Sequence, residues 1–200
     1  VPQEGAKPLP GAASVKAGRA TQPPPARAAE PVLQAEPWQD ELTEALQRQF
    51  GDQILEFASY RGQKFLVAKP EVVPPIIEFL KLEWDFDYLV DITAVDYPKR
   101  PERFDLVYIL YSFARNERIR VKTRIPGDYQ PQSVVPIHPT ANWLEREVYD
   151  MFGIEFAGHP DLRRILLPED WQGHPLRKDA NILDMDNEWV QRHLGIESGQ

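Results

Sequence analysis

Residues 104–125 read FDLVYILYSFARNERIRVKTRI, and this stretch decides the fold. Its first eight residues are nearly all apolar, which predicts a central strand buried on both faces of a sheet. Residues 117–125 alternate strictly, so that successive side chains point to opposite faces. One face of this strand is apolar or small. The other face carries four cations: Arg118, Arg120, Lys122 and Arg124.

These four cations, the basic stripe, have two interpretations. Charge on a solvated edge strand discourages edge-to-edge pairing with other chains. Alternatively, the stripe is a docking face for an acidic partner. The sequence leaves both interpretations open.

Working outward, hydrophobic periodicity and turn residues predict the other elements. In chain order they are a helix over 38–50, strands over 53–58 and 64–68, a helix over 74–83, strands over 86–95, 104–111 and 117–125, and a helix that ends at Gly153. In the strand over 86–95, one face is expected to carry Phe86, Tyr88, Val90 and Ile92. Short turns between strands favour antiparallel pairing. We therefore expect an α+β, two-layer domain with a mainly antiparallel sheet, helices on one face and an irregular C-terminal segment.

Composition excludes several classes of function. The chain has 200 residues, 23 Lys and Arg, 31 Asp and Glu, and a net charge of −8. An acidic chain is a poor general binder of nucleic acid, because phosphate contacts need a basic surface. The absence of cysteine excludes disulfides, Cys-ligated zinc and protein-ligated iron–sulfur clusters. No apolar run approaches the roughly 20 residues of a membrane helix.

The termini differ from the centre. Pro, Ala and Gly make up more than half of residues 1–37, which contain no aromatic residue. This predicts a disordered arm, or alternatively an arm that folds onto a partner. The folded domain is expected over 38–179. In the tail over 180–200, residues 186–195 could form a short helix with Trp189 and Val190 on one side.

The chain changes character from Ile137, where a helix that ends at Gly153 precedes a densely charged segment. Asn142 and Glu145 suit a capping box at its start, and Arg146 and Asp150 are four apart and can pair. Its apolar stripe is Leu144, Val148, Met151 and Phe152.

Beyond the helix, two Gly-His-Pro turns interrupt a densely charged segment, which suits recognition. Three histidines, His138, His159 and His174, could suggest a stand-alone metal-dependent hydrolase together with nearby carboxylates. However, their spacings are not those of a helical metal site, and no HExxH pattern exists. We expect them to be hydrogen-bonding turn residues.

The residues from Glu145 to Asp179, here called the signature segment, resemble a known family. They include EREVYDMFGI at 145–154, GHPDLRRIL at 158–166, PEDW at 168–171 and GHPLRKD at 173–179. This run resembles the signature of the respiratory complex I 30-kDa subunit, which is the C subunit of bacterial NADH–quinone oxidoreductase.

The resemblance implies an accessory structural subunit in the peripheral arm of a proton-translocating enzyme. The implied partners are other subunits of the complex, chiefly the quinone-site subunit (the 49-kDa-like D subunit) and the iron–sulfur subunits. It implies no catalytic, cofactor-binding or metal residue in this chain, with NADH, quinone, FMN and iron–sulfur clusters in the partners. It places the chain on the cytoplasmic side of the bacterial inner membrane, held there only through the complex. An equivalent subunit of a related complex with another electron donor is the alternative.

We expect charged residues to form the contacts with partner subunits. In the signature segment these are Glu145, Arg146, Glu147, Asp150, His159, Asp161, Arg163, Arg164, Asp170, His174, Arg177, Lys178 and Asp179. The basic stripe completes the predicted interface.

Overall fold

The computed structural model describes residues 35–181 and 185–195, which form a sheet with helices on one side. The strands are β1 (Glu36–Pro37), β2 (Ile54–Tyr60), β3 (Gln63–Ala68), β4 (Tyr88–Asp96), β5 (Phe104–Ser112) and β6 (Glu117–Ile125). The helices are α1 (Glu41–Phe50), α2 (Val73–Trp84), α3 (Ala141–Phe152) and α4 (Asn187–Leu194). The predicted α+β fold with a mainly antiparallel sheet is confirmed.

The sheet order is β1-β2-β3-β6-β5-β4. All neighbouring strands are antiparallel except β3 and β6, which run parallel, with Leu66 opposite Val121. The basic stripe therefore lies on an interior strand between β3 and β5. The edge-strand interpretation of these cations is wrong, because β6 has hydrogen-bonded neighbours on both sides.

The core lies between the sheet and the helices. The inward residues of β6, which are Ile119, Val121, Thr123 and Ile125, are all buried, as the alternation predicts. The helix layer contributes Leu46, Ile76, Ile77, Leu80 and Val148. Burying side chains of this kind is the main stabilising term for a domain of this size.

Strand β4 departs from simple alternation. Its register against β5 shifts between Leu89 and Asp91, which is a β-bulge at Val90. The bulge turns Leu89 into the core and leaves Tyr88 half exposed. The expectation that Tyr88 and Val90 share the core face with Ile92 is therefore wrong, because one extra residue reverses the alternation.

The predicted arm over 1–37 lies largely outside the described residues. Its last two residues, Glu36 and Pro37, form β1 opposite Ser59 and Ala58. Near the other terminus the predicted short helix is confirmed as α4, where the Asp186 side chain accepts the Trp189 N–H. Within the part of the chain that the structure describes, no helix is long and apolar enough to cross a membrane.

Candidate docking site

Helix α3 begins differently from the prediction. Thr140 precedes it without a side-chain hydrogen bond, and Asn142 lies inside the helix. The predicted capping box is wrong, because Glu145 points into the protein rather than back along the helix. Its carboxylate accepts the Ser133 hydroxyl at 2.7 Å and the Val134 N–H at 2.7 Å.

The Glu145 carboxyl is fully buried. Burial raises its pKa to about 7, although the hydrogen bonds from Ser133 and Val134 act in the opposite direction. Tyr108 is also fully buried, and burial together with the charge of Glu145 raises the pKa of Tyr108 well above its ordinary value. Glu145 is thus part of a polar cluster inside the domain and is not available to a partner.

His159 belongs to the same cluster. Its Nε2 lies 3.1 Å from the Asn142 carbonyl oxygen and 4.0 Å from the Glu145 carboxylate. Its Nδ1 accepts the Asp161 N–H at 3.0 Å. With Nδ1 accepting, Nε2 is the ring nitrogen that can donate to the Asn142 carbonyl oxygen. The predicted turn role of His159 is confirmed.

The other two histidines differ. His174 Nδ1 lies 3.0 Å from the Asp150 carbonyl oxygen, to which it can donate, so its turn role is confirmed as well. The His138 backbone forms a turn through Val134 and Ala141, but its buried ring Nε2 has no hydrogen-bond partner among the described residues. Burial, with the nearby charge of Lys81, lowers the pKa of His138 to about 4.

Asp150 organises the loop that follows α3. Its carboxylate accepts the Arg164 guanidinium at 2.7 Å. It also accepts three consecutive N–H groups at 2.8–3.1 Å, those of Ile165, Leu166 and Leu167. Burial alone would raise the pKa of Asp150, but the Leu167 N–H, Arg164 and the other two N–H groups outweigh burial and lower it.

The predicted pair between Arg146 and Asp150 is wrong. Arg146 donates to the carbonyl oxygens of Arg163 and Arg164 at 3.0 and 2.8 Å. The loop offers carbonyl groups to the cation and N–H groups to the carboxylate, so each side chain of α3 satisfies different backbone groups. Arg164 extends the network by donating to the carbonyl oxygens of Trp171 and Gly173 at 2.9 Å each.

A second set of ion pairs joins the signature segment to the sheet. Arg103 contacts both carboxylate oxygens of the buried Asp96 at 2.7 and 2.9 Å, and Asp179 at 2.8 Å. The Lys178 N–H donates to Asp96 at 2.7 Å, and Arg177 lies 3.6 Å from Asp179. The Arg103 hydrogen bond lowers the pKa of Asp96 despite burial.

Sequence reasoning missed Asp96 and Arg103. The available signal was an acid and a base on the two sides of the turn that joins β4 to β5, because residues that face each other across a hairpin and have opposite charges pair.

The remaining predicted residues of the segment lie at the surface. Arg163 is 64% exposed in its side chain and pairs with the exposed Asp161 at 2.9 Å. Glu147 and Lys178 are exposed, and the exposed Asp170 accepts the Trp189 indole N–H at 2.8 Å. Three apolar side chains that sequence reasoning did not place at the surface are also exposed: Trp143, Leu166 and Leu176. The apolar stripe of α3 is buried at Val148 and Phe152 but only half-buried at Leu144 and Met151.

The structure divides the predicted interface into three groups, of which the exposed residues of the signature segment are one. Buried and mostly buried charges, chiefly Glu145, Arg146, Asp150 and Arg164, have intramolecular partners and hold the segment in one conformation. The basic stripe lies on the face of the sheet that no described helix covers. Among residues 35–181 and 185–195, no three His, Asp or Glu side chains come together in a way that could hold a metal ion, so the ligand set of the hydrolase alternative is not assembled there.

Comparisons with known proteins agree with this architecture. Residues 66–185 match the family described as the 30 kDa subunit of respiratory-chain NADH dehydrogenase. The chain is 44% identical over 168 residues to the NADH-quinone oxidoreductase C subunit of Rhodobacter capsulatus, covering 82% of this chain and 84% of that protein. It is 48% identical over 128 residues to the C subunit of Ruegeria sp. (strain TM1040), covering 63% of this chain and 64% of the relative.

A solved structure has the same fold. It is a chain of the membrane-bound sulfane sulfur reductase, an archaeal respiratory membrane complex, with a TM-score of 0.61 and 27% identity over 78% of this chain and 93% of that chain. The α+β fold is thus shared with a chain of an archaeal respiratory membrane complex. The chain belongs to the family of the 30 kDa subunit of respiratory-chain NADH dehydrogenase.

Proposed function

We propose that this chain is a non-catalytic structural subunit of a proton-translocating NADH–quinone oxidoreductase. It lies in the peripheral arm, on the cytoplasmic side of the bacterial inner membrane, and docks onto the subunits of the quinone module. The observation that carries this proposal is the signature segment, whose buried charges fix a loop that turns Arg163 and Leu166 outward, while Trp143 in the first turn of α3 is exposed as well.

A fixed loop suits docking for an energetic reason. Binding is weakened by the conformational freedom that a surface loses on association, so a loop already held in place binds more tightly. Asp150 and Arg164 restrain this loop before any partner arrives. Exposed Trp and Arg side chains are also the residue types that contribute most at interfaces.

The proposal assigns the redox chemistry to partner subunits. NADH, FMN, quinone and the iron–sulfur clusters are bound there, and this chain has no cysteine to ligate a cluster. The chief partners are the 49-kDa-like quinone-site subunit and the iron–sulfur subunits, and contact with the membrane is made only through the complex.

Affinity purification from native membranes, with identification of the co-isolated subunits, tests the proposal. We expect NADH-oxidising subunits and the 49-kDa-like quinone-site subunit to co-isolate with the tagged full chain. Trp143→Ala and Arg163→Ala should each lower the recovered partners, whereas Glu41→Ala, at an exposed position on α1, should not. Recovery of the chain without any respiratory subunit would contradict the proposal.

A second candidate is the equivalent subunit of a complex with another electron donor. The likeness to a chain of the archaeal sulfane sulfur reductase complex favours it. The same purification distinguishes the two, because co-isolation with quinone-module subunits but without NADH-oxidising subunits would support the second candidate.

A further inference from the structure

The basic stripe lies at the centre of the open sheet face. In register, Arg120 lies between Phe65 of β3 and Ile109 of β5, and Lys122 lies between Val67 and Val107. All of these neighbours are apolar. An interior strand whose outward side chains are all cationic has no role in protecting a sheet edge, so the stripe needs another explanation.

The stripe has no carboxylate partner among the described residues. None of its four cations lies within 4 Å of a carboxylate oxygen in the ion pairs of residues 35–181 and 185–195. Arg120 makes a long 3.5 Å contact to the Gln63 carbonyl oxygen, and its Nε is buried without a partner. Lys122 Nζ and the Arg120 guanidinium lie over the Phe65 ring, 4.2 and 5.6 Å from its centroid.

These charges are held at an energetic cost. Burial, with the like charge of Arg120, lowers the pKa of Lys122. Asp105, which lies opposite Arg124, and Glu56 act in the other direction but do not outweigh burial and the like charge. Asp105 is also paired with Arg100, while Glu56 and Asp91 lie one strand further out, on β2 and β4. The stripe is therefore a ridge of positive charge one strand wide, with carboxylates along its sides.

At one end the ridge meets an exposed aromatic cluster. Tyr111 is the cross-strand neighbour of Arg118. Its ring contacts Phe113 at a centroid distance of 4.9 Å, and Phe113 contacts Tyr88 at 5.6 Å. Phe113 is 70% exposed. Cationic and apolar contacts are thus continuous along one surface.

We propose that the open sheet face binds an acidic segment of another subunit of the complex. This segment carries carboxylates along one side, spaced to meet cations about 7 Å apart, and an apolar residue that packs on Phe113. The inference rests on the proposed function, which supplies the complex. A narrow ridge bordered by Glu56 and Asp91 suits a single acidic peptide segment, because a broad anionic membrane or a nucleic acid would meet these carboxylates.

Zero-length carbodiimide cross-linking of the purified complex tests the contact directly. This reagent joins a lysine amine to a carboxylate in contact with it, and Lys122 is the single lysine of the stripe. We expect a cross-link from Lys122 to an Asp or Glu of another subunit. Lys122→Arg is the matched control, since it keeps the charge and the assembly but removes the amine, so the cross-link should disappear.

Two neutralising variants test the energetics. Arg118→Gln with Arg124→Gln changes the two exposed cations of the stripe, and Arg48→Gln with Arg192→Gln removes the same charge from α1 and α4. We expect about fivefold less of the first variant to remain in the complex at moderate salt, as the loss of two exposed charge contacts predicts. The second variant should remain at the wild-type level.

The outcomes separate this inference from the proposed function. An assembled complex in which Lys122 cross-links to nothing, or only to Glu56 or Asp105 of its own chain, overturns the inference and leaves the proposed function standing. The inference is also overturned if the free chain binds phosphatidylglycerol vesicles and the Arg118→Gln, Arg124→Gln variant does not. That result would assign the stripe to a lipid surface. A chain that isolates without any respiratory subunit overturns both.

Discussion

Asp150 and Asp161 each pair with an arginine of the signature segment, but the two pairs differ in burial. The Asp150 side chain is fully buried against Arg164, whereas Asp161 and Arg163 are both more than half exposed. An exposed ion pair contributes little because water and salt screen it. A buried one becomes costly when a single partner is removed, since the other charge stays behind.

This difference gives a prediction for Asp150→Asn. We expect a loss of about 3–5 kcal/mol in the free energy of unfolding, because Arg164 keeps its charge in a site with no carboxylate. Urea unfolding of the full chain measures this loss. Asp161→Asn is the matched control and should change stability by less than about 1 kcal/mol. Equal effects of the two substitutions would show that Asp150 does not hold the loop.

Glu145 gives a prediction about pH. Its pKa is raised from 4.5 to about 7 in the folded chain, so between these values the folded state keeps a proton that the unfolded state has released. Ionising Glu145 therefore lowers the free energy of unfolding as the pH rises through this window. Glu145→Gln, which stays neutral, should gain up to about 3 kcal/mol relative to wild type between pH 4 and pH 8.

Chemical denaturation at several pH values measures this gain. Glu147→Gln, the same substitution two residues along α3 at an exposed position, is the control. A difference between Glu145→Gln and wild type that stays constant from pH 4 to pH 8 would refute the raised pKa.

At the scale of elements, the end of α3 is joined tightly to the second Gly-His-Pro turn. Gly153 follows the helix with a φ of +74°, and a Cβ there would lie 2.6 Å from the His174 ring. That ring is held by its contact with Tyr149 and by the Asp150 carbonyl oxygen. The Leu176 N–H also donates to the Met151 carbonyl at 3.0 Å, which satisfies a carbonyl group at the helix end.

We therefore predict different costs for two alanine substitutions at glycines with similar backbone angles. Gly173 has a φ of +75°, and no atom lies within 4 Å of the position that a Cβ would occupy there, so Gly173→Ala should cost about 1 kcal/mol from the left-handed conformation alone. Gly153→Ala adds the displacement of His174 and should cost about 2–4 kcal/mol. Thermal or urea unfolding compares them, and equal costs would mean that the ring moves aside freely.

At the scale of the whole molecule, Arg103 joins the sheet to the end of the signature segment. Arg103 contacts Asp96, at the end of β4, and also Asp179, which follows it by 76 residues in the sequence. The neighbouring Arg100 pairs with Asp105, at the start of β5, and stacks on Tyr97 at a centroid distance of 3.7 Å. Arg103 therefore makes a long-range contact, whereas Arg100, on the same hairpin, makes a local one.

Arg103→Ala should release the end of the segment. Asp96 would remain buried without its cation, and we expect trypsin to cleave after Arg177 or Lys178 about tenfold faster than in wild type, because local opening exposes these bonds. Arg100→Ala should be cleaved there at the wild-type rate. An unchanged rate for Arg103→Ala would show that other contacts hold residues 177–179.

Local patterns in the sequence determined much of this architecture. Alternation in residues 117–125 predicted both faces of β6, and helical periodicity with Gly153 predicted where α3 ends. These features depend on neighbours within a few residues, so periodicity reveals them. The signature segment also carried the resemblance to the family to which the chain belongs.

Tertiary structure alone decided which partner each charge meets. Arg146 and Asp150 are spaced to pair on an isolated helix, yet each contacts the loop over 163–167, because its unpaired backbone groups lie beside them. Parallel pairing of β3 and β6 placed the basic stripe inside the sheet rather than at its edge. Contacts between distant residues depend on which segments the chain topology brings together, and the local periodicity of the sequence does not specify this.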